Sequence, residues 1–271
     1  MAEIEVLLLP NLKIFAVRAS SYLMERWEFY DTLFLSFPRE MEILVADLAE
    51  GRRTYESIID EISYSGIIPE PVEAWEYTAE PLLKVLPNLK EIHPGLKIYC
   101  YGTKKHQFLL NNIAIRAARL TLQTAITGKV DVEGWRWLLE ESSRVGGKLL
   151  AEEGALISER ARGRCLCLSG LTGRSLGRAL SGEGHLVRVR FIGGVYHFTP
   201  LEILERRWRR GPLTDEEIRR FVRYHLEYLR DYIYLSNNRD SAYYQWLHDK
   251  VPWLRGRIDT EAVRFLDLLK H

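Results

Sequence analysis

Five short segments carry the residue types that could do chemistry, and each follows an apolar run of strand length. They are "PNLK" after Leu9, "PRE" after Phe37, "GTKKH" after Tyr101, "GLTGRS" after Ser169 and "GGVYH" after Ile192. All five hold a cation or a histidine. In "SGLTGRSLGRAL", Gly170 and Gly173 admit close backbone approach, Thr172 and Ser175 offer hydroxyls, and Arg174 is placed to close over an anion. A helix opening there would aim free N–H groups at phosphate. The segment is neither a Walker A loop nor a clean G-x-G-x-x-G fingerprint, so a plain glycine turn is the alternative.

"GVYH" puts His197 just past a strand end, where a neutral imidazole could take a proton, bind a divalent metal or fix a turn. "FPRE" puts Arg39 and Glu40 at the mouth of another strand; Glu40 reads as a general base or as an acid favoured by a helix N-terminus. Lys104, Lys105 and His106 read as an anion contact or a solvated loop, the solvated loop being the simpler account. Arg220 and His225 form a permissive R-x4-H pair of the kind some metal-independent ribonucleases use. Cys165 and Cys167 sit two apart on a strand and face one side; no further Cys or His cluster completes a metal site around them, which favours reduced core cysteines. Tyr243, Tyr244, Trp246 and Trp253 could stack on bases, pack a terminal helix or form a dimer contact.

These segments need elements to position them. "IEVLLL" (4–9), "DTLFLSF" (31–37), "GLKIYCYG" (95–102), "RCLCLSG" (164–170) and "HLVRVRFIGG" (185–194) read as strands. Helices are expected over 20–30, 39–51, 54–66, 69–89, 105–128 and 132–163, the last with a bend at Gly146-Gly147, then after Leu171 and from Pro200 onward. Thr214 and Glu217 form a T-x-x-E capping box. Strands separated by helices and never joined by tight hairpins predict an α/β fold with a mostly parallel sheet covered by helices, a long helical insertion and a helical C-terminal segment. The expected division is an α/β domain over 1–205, with the insertion at about 105–163, and a helical extension over 206–271 packed on it. Ligands in such folds bind at the strand carboxyl edge.

Composition adds limits. At 271 residues and 46% hydrophobic, the chain can fill a sizeable core. The first apolar run is too short for a signal peptide and no stretch is long enough for a membrane span, so a cytoplasmic protein without membrane contact is expected. The net charge of +1 conceals an asymmetry: residues 1–80 carry a net −10 and residues 160–210 a net +8. The basic stretch is either a solvated surface or a face for phosphate and other anions.

The order of elements, with "DTLFLSFPRE" and "VRFIGGVYHFTPLEIL", resembles the superfamily of TIKI, TraB, erythromycin-esterase-like and ChaN-like proteins over residues 1–205. That resemblance implies an α/β fold with Glu40 and His197 in metal-assisted or acid–base chemistry. The family's first strand ends in its own G-x-x-H, and "LLLPNLKIF" has neither residue, which argues against a held metal. "GLTGRS" with the R-x4-H pair is also similar to nucleotide-sensing domains of CRISPR-associated proteins. The expected function is binding of an anionic, phosphate-bearing small molecule or nucleotide at the carboxyl edge, with hydrolysis as the enzymatic form, whether active or degenerate. The expected site is Glu40 and His197 as catalytic groups, with Arg39, Gly170, Thr172, Gly173, Arg174 and Ser175 binding. The alternative is a non-enzymatic RNA- or protein-binding assembly factor using the arginine-rich face, in monomeric or homo-oligomeric form. No cofactor is specified by the sequence.

Overall fold

The computed structural model describes residues 1–258. Five strands, β1 (Glu3–Leu8), β2 (Thr32–Pro38), β3 (Lys97–Gly102), β4 (Arg164–Ser169) and β5 (Leu186–Phe191), form one sheet in the order β3-β2-β4-β1-β5. Every pair is parallel, as the helix-separated strands predict. The helices are α1 (Lys13–Arg26), α2 (Glu42–Ala49), α3 (Tyr55–Ser65), α4 (Val72–Ile92), α5 (Lys104–Thr127), α6 (Val132–Arg160), α7 (Gly173–Gly182), α8 (Pro200–Trp208), α9 (Asp215–Tyr228) and α10 (Arg239–Lys250). No helix among the described residues is long and apolar enough to cross a membrane.

Alternation along the strands assigns each residue to a face. Leu7, Leu33, Leu35, Leu166 and Leu168 pack with side chains of α1 to α4, including Ala16, Leu23, Leu83 and Leu86. Ile4, Val6, Leu8, Phe34, Cys165 and Cys167 pack on the other face with Ile157 of α6 and Leu176 and Leu180 of α7. All three cysteines are free and buried, and burial pushes the Cys100 and Cys167 thiols up. They are inert core residues rather than nucleophiles.

Helix boundaries differ from expectation at two places. α1 begins at Lys13 instead of near Ser20, with no side-chain cap at Leu12 to announce it; Ser20 lies inside the helix, where its hydroxyl donates to the Ala16 and Pro81 carbonyls. α6 continues unbroken through Gly146 and Gly147.

The chain forms two compact units. The first, Met1–Leu109 with Gly147–Gly193, holds the whole sheet; the second takes Leu110–Gly146 and the chain from Gly194. The division therefore falls inside α5 and α6 and at Gly193–Gly194, where the sequence suggested a boundary at 205. The physical reason is a shared core: Ala117, Trp135, Leu138 and Leu139 of the two long helices pack with Leu204, Leu213, Ile218 and Val222 of the C-terminal helices. Gly193 and Gly194 have φ of 100° and 93°, a conformation that excludes side chains there. The expected capping box is present, Thr214 accepting from the Glu217 N–H and Glu217 from the Thr214 N–H. The end of the expected extension, residues 259–271, lies outside the described residues.

Candidate functional site

The strand order creates a crevice. β1 leaves through α1 on one face of the sheet toward β2, and β4 leaves through α7 on the opposite face toward β5. Adjacent strands whose connections diverge to opposite faces leave a gap beyond their carboxyl ends. A cavity of about 230 Å³ lies there, lined by Leu9 to Leu12 after β1, Ser36 and Phe37 of β2, and Leu168 to Gly170 at the end of β4. Trp75, Thr78, Ala79 and Leu82 of α4 and Gln107 of α5 complete it. Its polar groups, from Asn11, Ser36, Thr78, Gln107 and Ser169, are neutral. Such a lining suits the apolar body of a small molecule held by a few hydrogen bonds.

The expected site residues fall in different places. Gly170 lines the cavity. Thr172 precedes α7, and its carbonyl accepts from the Ser175 and Leu176 N–H groups at 2.8 and 3.3 Å. Gly173 is buried against the sheet: a Cβ there would lie 2.5 Å from Leu8 Cδ2 and 2.9 Å from the Ser169 side chain. Its glycine is therefore needed for close packing of α7. Arg174 is exposed and Ser175 half-buried on the first turn of α7.

Arg39 and Glu40 occupy an exposed turn after β2. The Glu40 carboxylate accepts the Lys104 backbone N–H at 3.0 Å, so it caps α5, a helix distant in sequence. "GTKKH" is no solvated loop: α5 starts within it, and His106 is only 3% exposed.

His197 belongs to the helical unit, apart from the sheet residues in the chain's division. Its N–H donates to the Tyr243 hydroxyl at 2.7 Å, and that hydroxyl donates to the His197 carbonyl at 2.8 Å. Its Nδ1–H donates to the Phe198 carbonyl at 2.9 Å, and the ring packs beside Trp246 and Trp253. These contacts describe a pinned turn ahead of α8. The C-terminal aromatics serve the same packing, with Tyr196 stacked on Tyr243 at 5.4 Å. His225 of the R-x4-H pair is half-buried, and that burial drives its pKa down to about 4.

Sequence reasoning missed a perturbed titratable cluster in the sheet unit. His106 Nε2–H donates to Glu152 at 2.8 Å, while its buried Nδ1 has no hydrogen-bond partner and lies 3.9 Å from Glu153. Burial, reinforced by the Glu152 charge, pushes the Glu153 carboxyl up to about 7. The hydrogen bond to His106 holds Glu152 below the usual carboxylate range. Only the neighbouring α5 and α6 bring these residues together, across 46 positions of chain, so no local motif announces them. Among the described residues no group of three or more His, Cys, Asp or Glu is placed to hold a metal ion. No family model, curated protein or solved structure matches the chain.

Proposed function

We propose that the chain binds a small phosphate-bearing ligand at the carboxyl edge of its sheet. The observation that carries this reading is the cavity between the ends of β1, β2 and β4, floored by Ser169 and Gly170 at the approach to α7. The lining holds no charged side chain, so an anionic group is best met at its rim. There the α7 N-terminus offers a favourable field, and exposed Arg174 supplies a fixed charge. The ligand body sits against Trp75 and Leu82 and bonds to Asn11, Thr78 or Gln107.

Hydrolysis is the weaker part of this reading. It rests on the resemblance to TIKI- and TraB-like proteins, and neither Glu40 nor His197 lines the cavity. Thermal melts with nucleoside mono-, di- and triphosphates and inorganic phosphate test the binding. A phosphate-bearing ligand at a hundred times its Kd should stabilise by about 2.7 kcal/mol. Arg174→Ala should remove that gain, and Thr78→Phe, which fills the cavity, should remove it too. No shift with any of these compounds defeats the proposal.

A further inference from the structure

The basic stretch of the chain has a place in the sheet unit that the cavity does not use. β5 is an edge strand, paired only with β1. α7 packs on one of its faces, where Gly177 meets Val187 and Val189. The other face presents Leu186, Arg188 and Arg190 in alternation beside Glu3, Glu5 and Leu7 of β1. Leu186 is 63% exposed, so no helix covers that face at its amino end.

A groove of about 500 Å³ runs over this surface, walled by Tyr22 and Arg26 of α1, by Phe29, and by Arg164 of β4. Among the described residues, Arg26, Arg164 and Arg188 have no carboxylate within ion-pair distance, and Arg190 reaches Glu5 only at 3.7 Å. Glu5 is instead held by the Tyr22 and Tyr30 hydroxyls at 3.1 and 3.0 Å. Arg26 lies 5.5 Å from the ring of Phe29, which is 44% exposed, and Arg190 lies 5.4 Å from that of Tyr22.

Three candidates for this surface differ in chemistry. A second copy pairing edge to edge along β5 would set Arg188 and Arg190 against their own duplicates, which edge-strand charges act to prevent. An acidic peptide would meet the arginines but set its carboxylates beside those of Glu3 and Glu5, and offers no array of planar groups to the exposed rings. A single-stranded nucleic acid supplies phosphates for the arginines at positions 188 and 190, whose backbone sites lie about 6.6 Å apart along one strand face. It also brings planar bases for the arginine-flanked rings and amino groups for the carboxylates. We infer that this groove binds single-stranded nucleic acid, with phosphates along Arg188 and Arg190 and a base stacked on Phe29. The inference does not rest on the carboxyl-edge cavity.

Anisotropy of a short fluorescein-labelled oligouridylate, titrated with the full chain over a range of salt, tests it. With four arginines engaged, log K against log salt should fall with a slope of about −3. Arg188→Ser with Arg190→Ser, both exposed positions, should bring the slope to about −1.5. Phe29→Ala should weaken binding roughly tenfold without changing the slope. Arg174→Ala, at the carboxyl edge, should leave the affinity unchanged. The inference is overturned by absence of binding at low salt, by an unaltered double variant, or by loss of binding in Arg174→Ala. Equal affinity for labelled polyglutamate together with indifference to Phe29→Ala would also overturn it, in favour of an acidic protein partner.

Discussion

At the scale of single residues, Glu40 and His197, the two side chains expected to be catalytic, are occupied by structural tasks. Glu40 caps α5 and His197 forms a clamp with Tyr243. Tyr243→Phe removes both hydrogen bonds to the His197 backbone in a half-buried setting. It should cost about 1–3 kcal/mol, whereas His197→Ala, which keeps them, should cost less; denaturant titration of the two variants checks the order. Glu153 gives the pH dependence. Its carboxyl titrates at about 7 in the fold against an ordinary 4.5, with burial the main cause. The folded chain therefore keeps a proton that the unfolded chain releases. This contribution is complete below about pH 4.5 and is lost as pH rises through about 7, by on the order of 3 kcal/mol. Glu153→Gln should be more stable than the natural chain at about pH 8 and lose that advantage near pH 4. An equal melting-temperature difference at both would refute the burial account.

At the scale of elements, glycine shows how context sets the sign of one substitution. In α7 a Cβ at Gly177 would sit 2.5 Å from Val189 Cγ2, and one at Gly173 equally close to Leu8. Alanine at either should cost about 1–3 kcal/mol through overpacking, despite its better helix propensity. In α6 a Cβ at Gly146 or Gly147 meets nothing within 4 Å, so alanine there should stabilise by about 0.5–1 kcal/mol. Unfolding midpoints of the four variants decide both signs. The same contrast marks what was legible in the sequence. Strands announce themselves by short apolar runs, and all five were readable. "LVRVRF" even shows the alternation of a strand with one open face. The start of α1 lacks a capping residue, so where that helix begins rests on tertiary packing that local signals do not encode. The cavity is less legible still. Its position follows from the insertion of β4 between β2 and β1, and pairing order is set by long-range burial rather than by any motif. Gly170 was found because a glycine turn is visible; Trp75 and Gln107 were not, because nothing local distinguishes them from other helix residues.

At the scale of the whole molecule, the two units should answer acid in opposite ways. In the helical unit, His225 is held neutral by burial, with its pKa driven from an ordinary 6.5 to about 4. The unfolded chain takes up a proton that the folded one refuses. This contribution is present above about pH 6.5 and is lost as pH falls toward 4, again by on the order of 3 kcal/mol. In the sheet unit Glu153 gains over an overlapping range as pH falls. Glu205, raised by burial, works against His225 in its own unit, and His185, lowered by burial, against Glu153 in the other. Single variants are therefore needed to isolate each effect. Hydrogen exchange followed peptide by peptide between about pH 7 and pH 5, corrected for intrinsic rates, should show this directly. His225→Phe should abolish an acid-induced loss of protection confined to α9 and its neighbours, leaving the sheet unaffected. Glu153→Gln should abolish an acid-induced gain confined to the sheet unit. If either variant alters protection across the whole chain, the two units unfold as one cooperative body, and their separate cores do not confer separate stabilities.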